Sequence, residues 1–131
     1  MPRRTEPEPY AAKIGARIQE LRTERSMTLA ELGEVSGLSK GHISTIEHGL
    51  ASITVETIQR LAKAFELPAL YILLSPGEDE REQVMELARK LPRVELVKLR
   101  RTLQAAAKQG TKKVRTLPGQ DMTTRKNIAH R

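Results

Sequence analysis

The chain has 131 residues, of which 30% are charged, and a formal net charge of +7. It has no cysteine, which excludes a disulfide framework, a thiolate zinc site and a cysteine nucleophile. There is no run of about 18 apolar residues, and residues 1–10 are rich in proline and charge, unlike a signal peptide. We therefore expect a soluble, cytoplasmic protein without a membrane span, and the positive charge predicts a polyanionic partner.

The positive charge is unevenly distributed along the chain. Residues 11–77 hold seven basic and seven acidic residues, whereas residues 110–131 hold six basic residues and one acidic residue. The first segment is therefore neutral and the last carries +5. We expect residues 110–131 to form a disordered basic tail that steers association with a polyanion at low salt.

The first predicted elements are an arm and a helix. Residues 1–10 contain three prolines and are expected to be a disordered arm. Ile14, Ile18 and Leu21 recur at helical spacing, which predicts a first helix over residues 11–25.

Two short helices joined by a tight turn come next. Thr28 is a suitable N-cap for the first of them, and Glu31 completes a capping box. Gly37 can adopt the left-handed conformation that ends a helix. Ser39 can then cap a second helix that ends at Gly49, so the segment has the pattern of a helix-turn-helix.

Apolar spacing predicts two further helices, over residues 55–65 and 69–74, which complete a compact five-helix domain at residues 11–75. Residues 78–91 and 93–109 then form two amphipathic helices on either side of Pro92. Such helices cannot bury their apolar stripes alone, so we predict a helical hairpin at residues 78–109 that dimerises the chain, with packing inside one chain as the alternative. The stripe residues are Val84, Leu87, Leu91, Leu96, Leu99 and Leu103.

Residues 14–75 resemble a Cro/repressor-type domain of the XRE family. The resemblance rests on T-L-A-E-L at 28–32, Gly37 at the turn, I-S-x-I-E-x-G at 43–49 and T-I-Q-R-L-A-K-A-F at 57–65. It implies an all-α, lambda-repressor-like fold. It also implies a sequence-specific transcriptional regulator, in our interpretation a repressor, that binds an inverted repeat in double-stranded DNA as a homodimer.

The resemblance also implies roles for individual residues. In related proteins the second helix of the motif lies in the major groove and its first residues contact base edges. The matching base-facing positions here are Ser39, Lys40, Gly41, Ser44 and Thr45. The expected phosphate contacts are Thr28, His42, His48 and Thr54. Arg22 and Glu47 match positions that form a structural ion pair.

Two departures from the family pattern weaken the expected contact with phosphates. Leu29 stands where many relatives carry glutamine, and the loop at residues 50–53 lacks basic residues and proline. We expect Lys13, Arg17 or the basic tail to supply the missing positive charge.

No catalytic, metal-binding or cofactor-binding motif is evident. The three histidines, at positions 42, 48 and 130, do not have a metal-ligand spacing. We therefore predict no enzymatic activity, no metal and no cofactor. Two other hypotheses remain: a protein-bridging coactivator with non-specific DNA contacts, and the antitoxin of a toxin–antitoxin pair, in which the hairpin or tail binds a protein partner.

Overall fold

The computed structural model describes residues 5–115, and side chains over residues 5–110. All regular secondary structure in that part of the chain is α-helical, which confirms the predicted fold class. The helices are α1 (Pro9–Glu24), α2 (Leu29–Ser36), α3 (Lys40–Glu47), α4 (Val55–Ala64), α5 (Leu70–Leu73), α6 (Glu80–Ala88) and α7 (Arg93–Arg115). Residues 1–4 of the predicted arm and residues 116–131 of the predicted tail lie outside the described residues.

The chain divides after Glu78 into two units. The first contains α1 to α5, and the second contains α6 and α7. In the first unit α3 packs against α1 and α2, while α5 packs against α1 and α4. The helix-turn-helix is therefore held from several sides by the rest of its unit.

Side-chain caps fix where α2, α3 and α4 begin. The hydroxyl oxygens of Thr28, Ser39 and Thr54 each accept a hydrogen bond from the backbone N–H three residues later, at 3.1, 3.1 and 3.2 Å. Gly37 ends α2 with a φ of 78°. These positions agree with the caps and the terminator predicted from the sequence.

Helix α1 begins two residues before the predicted start. The Glu8 carboxylate accepts hydrogen bonds from the N–H groups of Tyr10 and Ala11, at 3.0 and 2.7 Å. Pro9 occupies the first helical position, where a missing N–H costs nothing. The assignment of residues 9 and 10 to a disordered arm was therefore wrong, because this proline begins a helix.

The core of the first unit contains side chains from each of its five helices. Its fully buried members are Ile18, Leu21, Leu32, Ile43, Ile46, Leu61 and Ile72, joined by the nearly buried Phe65. Burial of a side chain of this size contributes about 1.5–3 kcal/mol. Ile43 and Ile46 therefore anchor one face of α3 in the core and leave its opposite face to solvent.

A close crossing of α1 and α3 depends on Gly15. A Cβ atom placed on Gly15 would lie 2.3 Å from the carbonyl oxygen of Ile46 and 2.6 Å from that of Glu47. These are backbone atoms, which cannot move without moving α3. Gly15 therefore allows the end of α3 to lie directly on α1.

The second unit differs from the sequence-based expectation at its last helix. Gly110 was expected to end the helix, but α7 continues to Arg115. A glycine inside a helix costs about 1 kcal/mol relative to alanine, which the good helix-forming residues on either side offset. No residue from 79 to 110 is fully buried, and Leu87 leaves 64% of its surface exposed. No helix in the described part of the chain is long and apolar enough to cross a membrane.

Candidate nucleic-acid interface

The outer face of α3 carries the residues predicted to contact bases. Lys40 and Gly41 are exposed in its first turn, and Ser44 and Thr45 follow one turn later, half-buried. Ile43 and Ile46 occupy the opposite, buried face. The helix period of 3.6 residues thus brings these four residues together on one surface, which we call the α3 face.

Lys40 can donate hydrogen bonds from the α3 face. Its side chain belongs to no ion pair within residues 5–110, so no carboxylate there competes for its ammonium group. A lysine donates to acceptors such as O6 and N7 of guanine in the major groove.

Gly41 leaves an opening beside Lys40. A Cβ atom placed on Gly41 would have no atom within 4 Å. The backbone at this position is therefore accessible to a large, flat ligand, such as the edge of a base pair.

Three hydroxyl and imidazole groups of α3 are already bonded to the backbone. The Ser39 hydroxyl accepts the N–H of His42, and the Thr45 hydroxyl donates to the Gly41 carbonyl at 2.8 Å. Thr45 therefore keeps its methyl group and an oxygen lone pair for other contacts. His48 Nδ1 lies 2.6 Å from the Ser44 carbonyl oxygen and must donate to it, so Nε2 can donate to a phosphate only when the ring is protonated.

The expected phosphate contacts near Thr28 and Thr54 meet competition from the helix caps. The Thr28 hydroxyl accepts the N–H of Glu31, and the Glu31 carboxylate accepts the N–H of Thr28 at 3.2 Å. The Thr54 hydroxyl bonds both the N–H and the hydroxyl of Thr57. These threonine side chains are used in capping, so a phosphate there would have to bind other backbone N–H groups.

An ion pair joins α1 to the end of α3. The guanidinium of Arg22 donates from Nε and Nη2 to the two carboxylate oxygens of Glu47, at 2.7 and 3.0 Å, and from Nη1 to the Met27 carbonyl at 2.8 Å. The two side chains are only 13% and 5% exposed. The hydrogen bond to Glu47 raises the pKa of Arg22 above its ordinary value. Arg22 therefore remains charged and fixes α1, the loop before α2 and α3 together.

Arg17 is not available to DNA, contrary to the sequence-based expectation. Its side chain is only 3% exposed, and it donates to the Tyr71 carbonyl at 2.9 Å and to the Glu20 carboxylate at 3.0 Å. Arg17 lies three residues after Ile14 and four before Leu21, so the spacing of the buried stripe already included it. A charged residue is usually exposed, but the buried side chain of Arg17 ties α1 to α5. Lys13 is exposed.

Among the residues with described side chains, no three histidine, aspartate or glutamate groups lie close enough to hold a metal ion.

Comparison with known proteins supports the assignment of this domain. A family profile described as helix-turn-helix matches residues 18–72. The chain is similar to the HTH-type transcriptional regulator PuuR of Escherichia coli K12, with 31% identity over 71 residues, which is 54% of this chain and 38% of PuuR. It is also similar to RamB, an HTH-type transcriptional regulator of Mycobacterium tuberculosis, with 28% identity over 74 residues, which is 56% of this chain and 15% of RamB.

The chain thus spans well under half the length of these curated relatives. Among solved structures, the hypothetical transcription factor NHTF from Neisseria superposes with a TM-score of 0.52 at 24% identity, over 61% of this chain and 90% of that one. This likeness supports the all-helical fold. Residues 18–72 therefore match the helix-turn-helix family, in agreement with the resemblance of this segment to Cro/repressor-type (XRE) domains.

Proposed function

We propose that the chain is a sequence-specific transcriptional regulator whose α3 face reads bases in the major groove. The observation that carries this proposal is the grouping of Lys40, Gly41, Ser44 and Thr45 on the outer side of α3, opposite the side chains that bury it. PuuR and RamB are named as HTH-type transcriptional regulators, which supports the same role here. Lys40 donates to guanine, and Thr45 and Gly41 accommodate a thymine methyl group.

Positioning of α3 relies on Arg22 and Glu47 under this proposal. The pair lies at the far end of α3 from Lys40, in nearly complete exclusion of water. It holds the recognition helix at a fixed angle to α1, as a site on a rigid element requires. His42 flanks this face and contacts phosphates, together with N–H groups at the starts of α2 and α4, and His48 joins them when its ring carries a proton on both nitrogens.

The active form is a homodimer, built through the apolar stripe of α6, α7 and the turn between them, which contains Leu91. In one chain the stripe is uncovered: Val84, Leu87, Leu91, Leu96 and Leu103 are all exposed, and Leu99 is half-buried. Leucines spaced along two successive helices make a surface that a second copy can cover. A twofold dimer presents two α3 helices to two half-sites about 34 Å apart, which favours an inverted-repeat operator.

A test of the repressor proposal uses a promoter overlapped by the preferred site. We expect two chains to bind per inverted repeat and the yield of transcript in vitro to fall as the site fills. One chain per site would contradict the dimer, and a transcript yield that is unchanged or raised would contradict repression.

The charge of the first unit supports a second candidate. Residues 1–78 hold nine basic and ten acidic residues, a net charge of −1, which is low for a unit that binds DNA alone. A protein-bridging coactivator that contacts DNA non-specifically through another element would have such a low net charge on its folded unit. Steep salt dependence of binding without any preferred sequence would favour the coactivator over the repressor.

A further inference from the structure

Helix α7 is the most basic element in the described part of the chain. Its 23 residues include eight basic residues and one acidic residue, a net charge of +7. Three of the basic residues, Lys112, Lys113 and Arg115, fall in the part of α7 beyond Gly110, which the sequence had assigned to a tail. Positive charge expected in a disordered segment is thus carried by a regular helix.

Four of these basic residues share one face of α7. Arg93, Arg100 and Lys108 are separated by seven and eight residues, which returns them to the same side of a helix, and Arg101 lies beside them. All four are exposed. We call this set the basic face of α7. The centre of the leucine stripe of α7 lies about a third of a turn from the centre of this face, and Arg93 and Arg100 lie nearest to the leucines. An interface that covers the leucines therefore leaves Arg101 and Lys108 accessible.

The basic face is electrostatically uncompensated. None of its four side chains belongs to an ion pair among the residues whose side chains are described. The one acidic residue of α7, Glu95, lies 3.5 Å from Lys98, which belongs to a different side of the helix. Four unpaired cations on a rigid helix repel one another, and an anionic partner relieves that repulsion.

We propose that the basic face of α7 binds the phosphate backbone of duplex DNA and supplies the sequence-independent part of the affinity. This inference rests on the proposed DNA-binding function. A helix of 23 residues is about 34 Å long, close to one turn of B-form DNA. The duplex offers one negative charge per about 1.7 Å. The basic face supplies positive charge that residues 1–78, with a net charge of −1, lack, and it compensates for the missing phosphate ligands at Leu29 and in the loop after α3.

An anionic membrane is the competing partner for a basic amphipathic helix. Helices that lie in a membrane interface carry tryptophan, phenylalanine or leucine on an uncovered apolar side. Helix α7 has no aromatic residue, and the leucines of its apolar side, which have valine and alanine beside them, are the ones we assign to the dimer interface. DNA is therefore the better match.

The test compares two full-length variants with the same change in net charge. One is R100Q/R101Q/K108Q, which removes three charges from the basic face and keeps a good helix-forming residue at each position. The control is R125Q/K126Q/R131Q, which removes three charges from residues 116–131. Sedimentation and circular dichroism establish that both variants keep the oligomeric state and helicity of the parent. The measurement is the slope of log K against log salt concentration, on a duplex that lacks the preferred site.

We expect the basic-face variant to lose about 2 to 3 units of the salt slope per bound chain, since each phosphate contact contributes about 0.9. The control should lose less than about 1 unit. An unchanged slope for the basic-face variant, or an equal loss in both, would overturn the proposal. A membrane would be the partner instead if the parent protein bound vesicles containing phosphatidylserine, the basic-face variant did not, and the salt slope on DNA were the same for both. That result would also overturn the proposal.

Failure of this inference is distinguishable from failure of the proposed function. If wild-type protein selects no preferred sequence, the sequence-specific function fails, whatever the slope of the variant. If a preferred sequence exists and the slope is unchanged, only the role of α7 fails.

Discussion

Lys40 is the side chain on which the proposed base recognition depends most directly. It is exposed, it begins the recognition helix, and no carboxylate pairs with it in the described part of the chain. We expect Lys40→Ala to weaken binding to the preferred site by about 1–3 kcal/mol and to relax discrimination at one base pair per half-site. Competition binding against duplexes substituted at each position measures both effects.

The matched control for that experiment is Lys63→Ala. Lys63 is also an exposed lysine of the first unit, but it lies in the last turn of α4. We expect it to leave base discrimination unchanged. If both variants lost affinity equally at every sequence, Lys40 would contribute charge only, and base recognition by this residue would be refuted.

The ion pair of Arg22 and Glu47 makes a prediction about stability. Glu47→Ala leaves the nearly buried guanidinium of Arg22 without its carboxylate, and breaking one side of a buried pair costs about 3–5 kcal/mol. We expect a cost near the lower end of that range, because Arg22 keeps its hydrogen bond to the Met27 carbonyl. Urea unfolding followed by circular dichroism measures the change.

An exposed ion pair in the same unit provides the control. Glu56 and Arg60 lie four residues apart on α4 and are both exposed to solvent. Glu56→Ala should change the free energy of unfolding by less than about 1 kcal/mol. If Glu47→Ala and Glu56→Ala lowered the free energy of unfolding equally, burial of the Arg22–Glu47 pair would add nothing to its contribution to stability.

At the level of helix packing, Gly15 is needed for the contact of α1 with α3 and so for folding, whereas Gly41 lies on the face proposed to contact DNA. Gly15→Ala would put a methyl group 2.3 Å from the Ile46 carbonyl oxygen, so α1 and α3 must move apart. We expect destabilisation of about 1–3 kcal/mol, the usual cost of overpacking, measured by thermal unfolding.

Gly41→Ala is the complementary variant in α3. The site has open space, so the methyl group should leave stability unchanged or raise it by up to about 1 kcal/mol. Affinity for the preferred site should nevertheless fall, because the methyl group occupies the space that a base edge needs. Undiminished DNA binding by Gly41→Ala would contradict close approach of DNA at this position.

The apolar stripe of α7 predicts how the dimer responds to substitution. Leu103→Glu places a carboxylate on the proposed interface, which should weaken dimerisation by about 2 kcal/mol or more, or about thirtyfold. Val94→Glu makes a comparable change at an exposed residue on another side of α7. Sedimentation equilibrium measures both. A dimer that tolerates Leu103→Glu as well as Val94→Glu would place the interface elsewhere.

Across the molecule, local chemistry was predictable and long-range packing was less so. The caps at Thr28, Ser39 and Thr54 involve residues three apart, so the sequence contains the whole signal. The contact of Gly15 with α3 joins residues about thirty positions apart, and nothing near Gly15 indicates it. The burial of Arg17 follows from its spacing on α1, but its partner Tyr71 lies 54 positions away and no local signal identifies that contact.

The candidate site also has features that the sequence predicts and features that it does not. The positions on the outer face of α3 follow from helical periodicity and from resemblance to the XRE family. The competition between capping and phosphate binding at Thr28, and the bond from His48 to Ser44, depend on side-chain geometry that a sequence does not contain. The extension of α7 past Gly110 was missed because a single glycine is a weak terminator within a strongly helical segment.

Electrostatically, the chain has two unlike parts. The first unit carries the α3 face but has a net charge of −1, whereas α7 has a net charge of +7. We thus propose that α3 recognises bases, that α7 supplies the non-specific affinity for DNA, and that the apolar stripe joins two copies of the chain.

Selection of bound duplexes from random-sequence DNA by the purified protein is the most direct test of base recognition by α3. We expect a preferred inverted repeat whose half-site centres are about one helical turn apart, near 34 Å. Recovery of DNA with no preferred sequence, despite salt-sensitive binding, would contradict recognition of bases by α3.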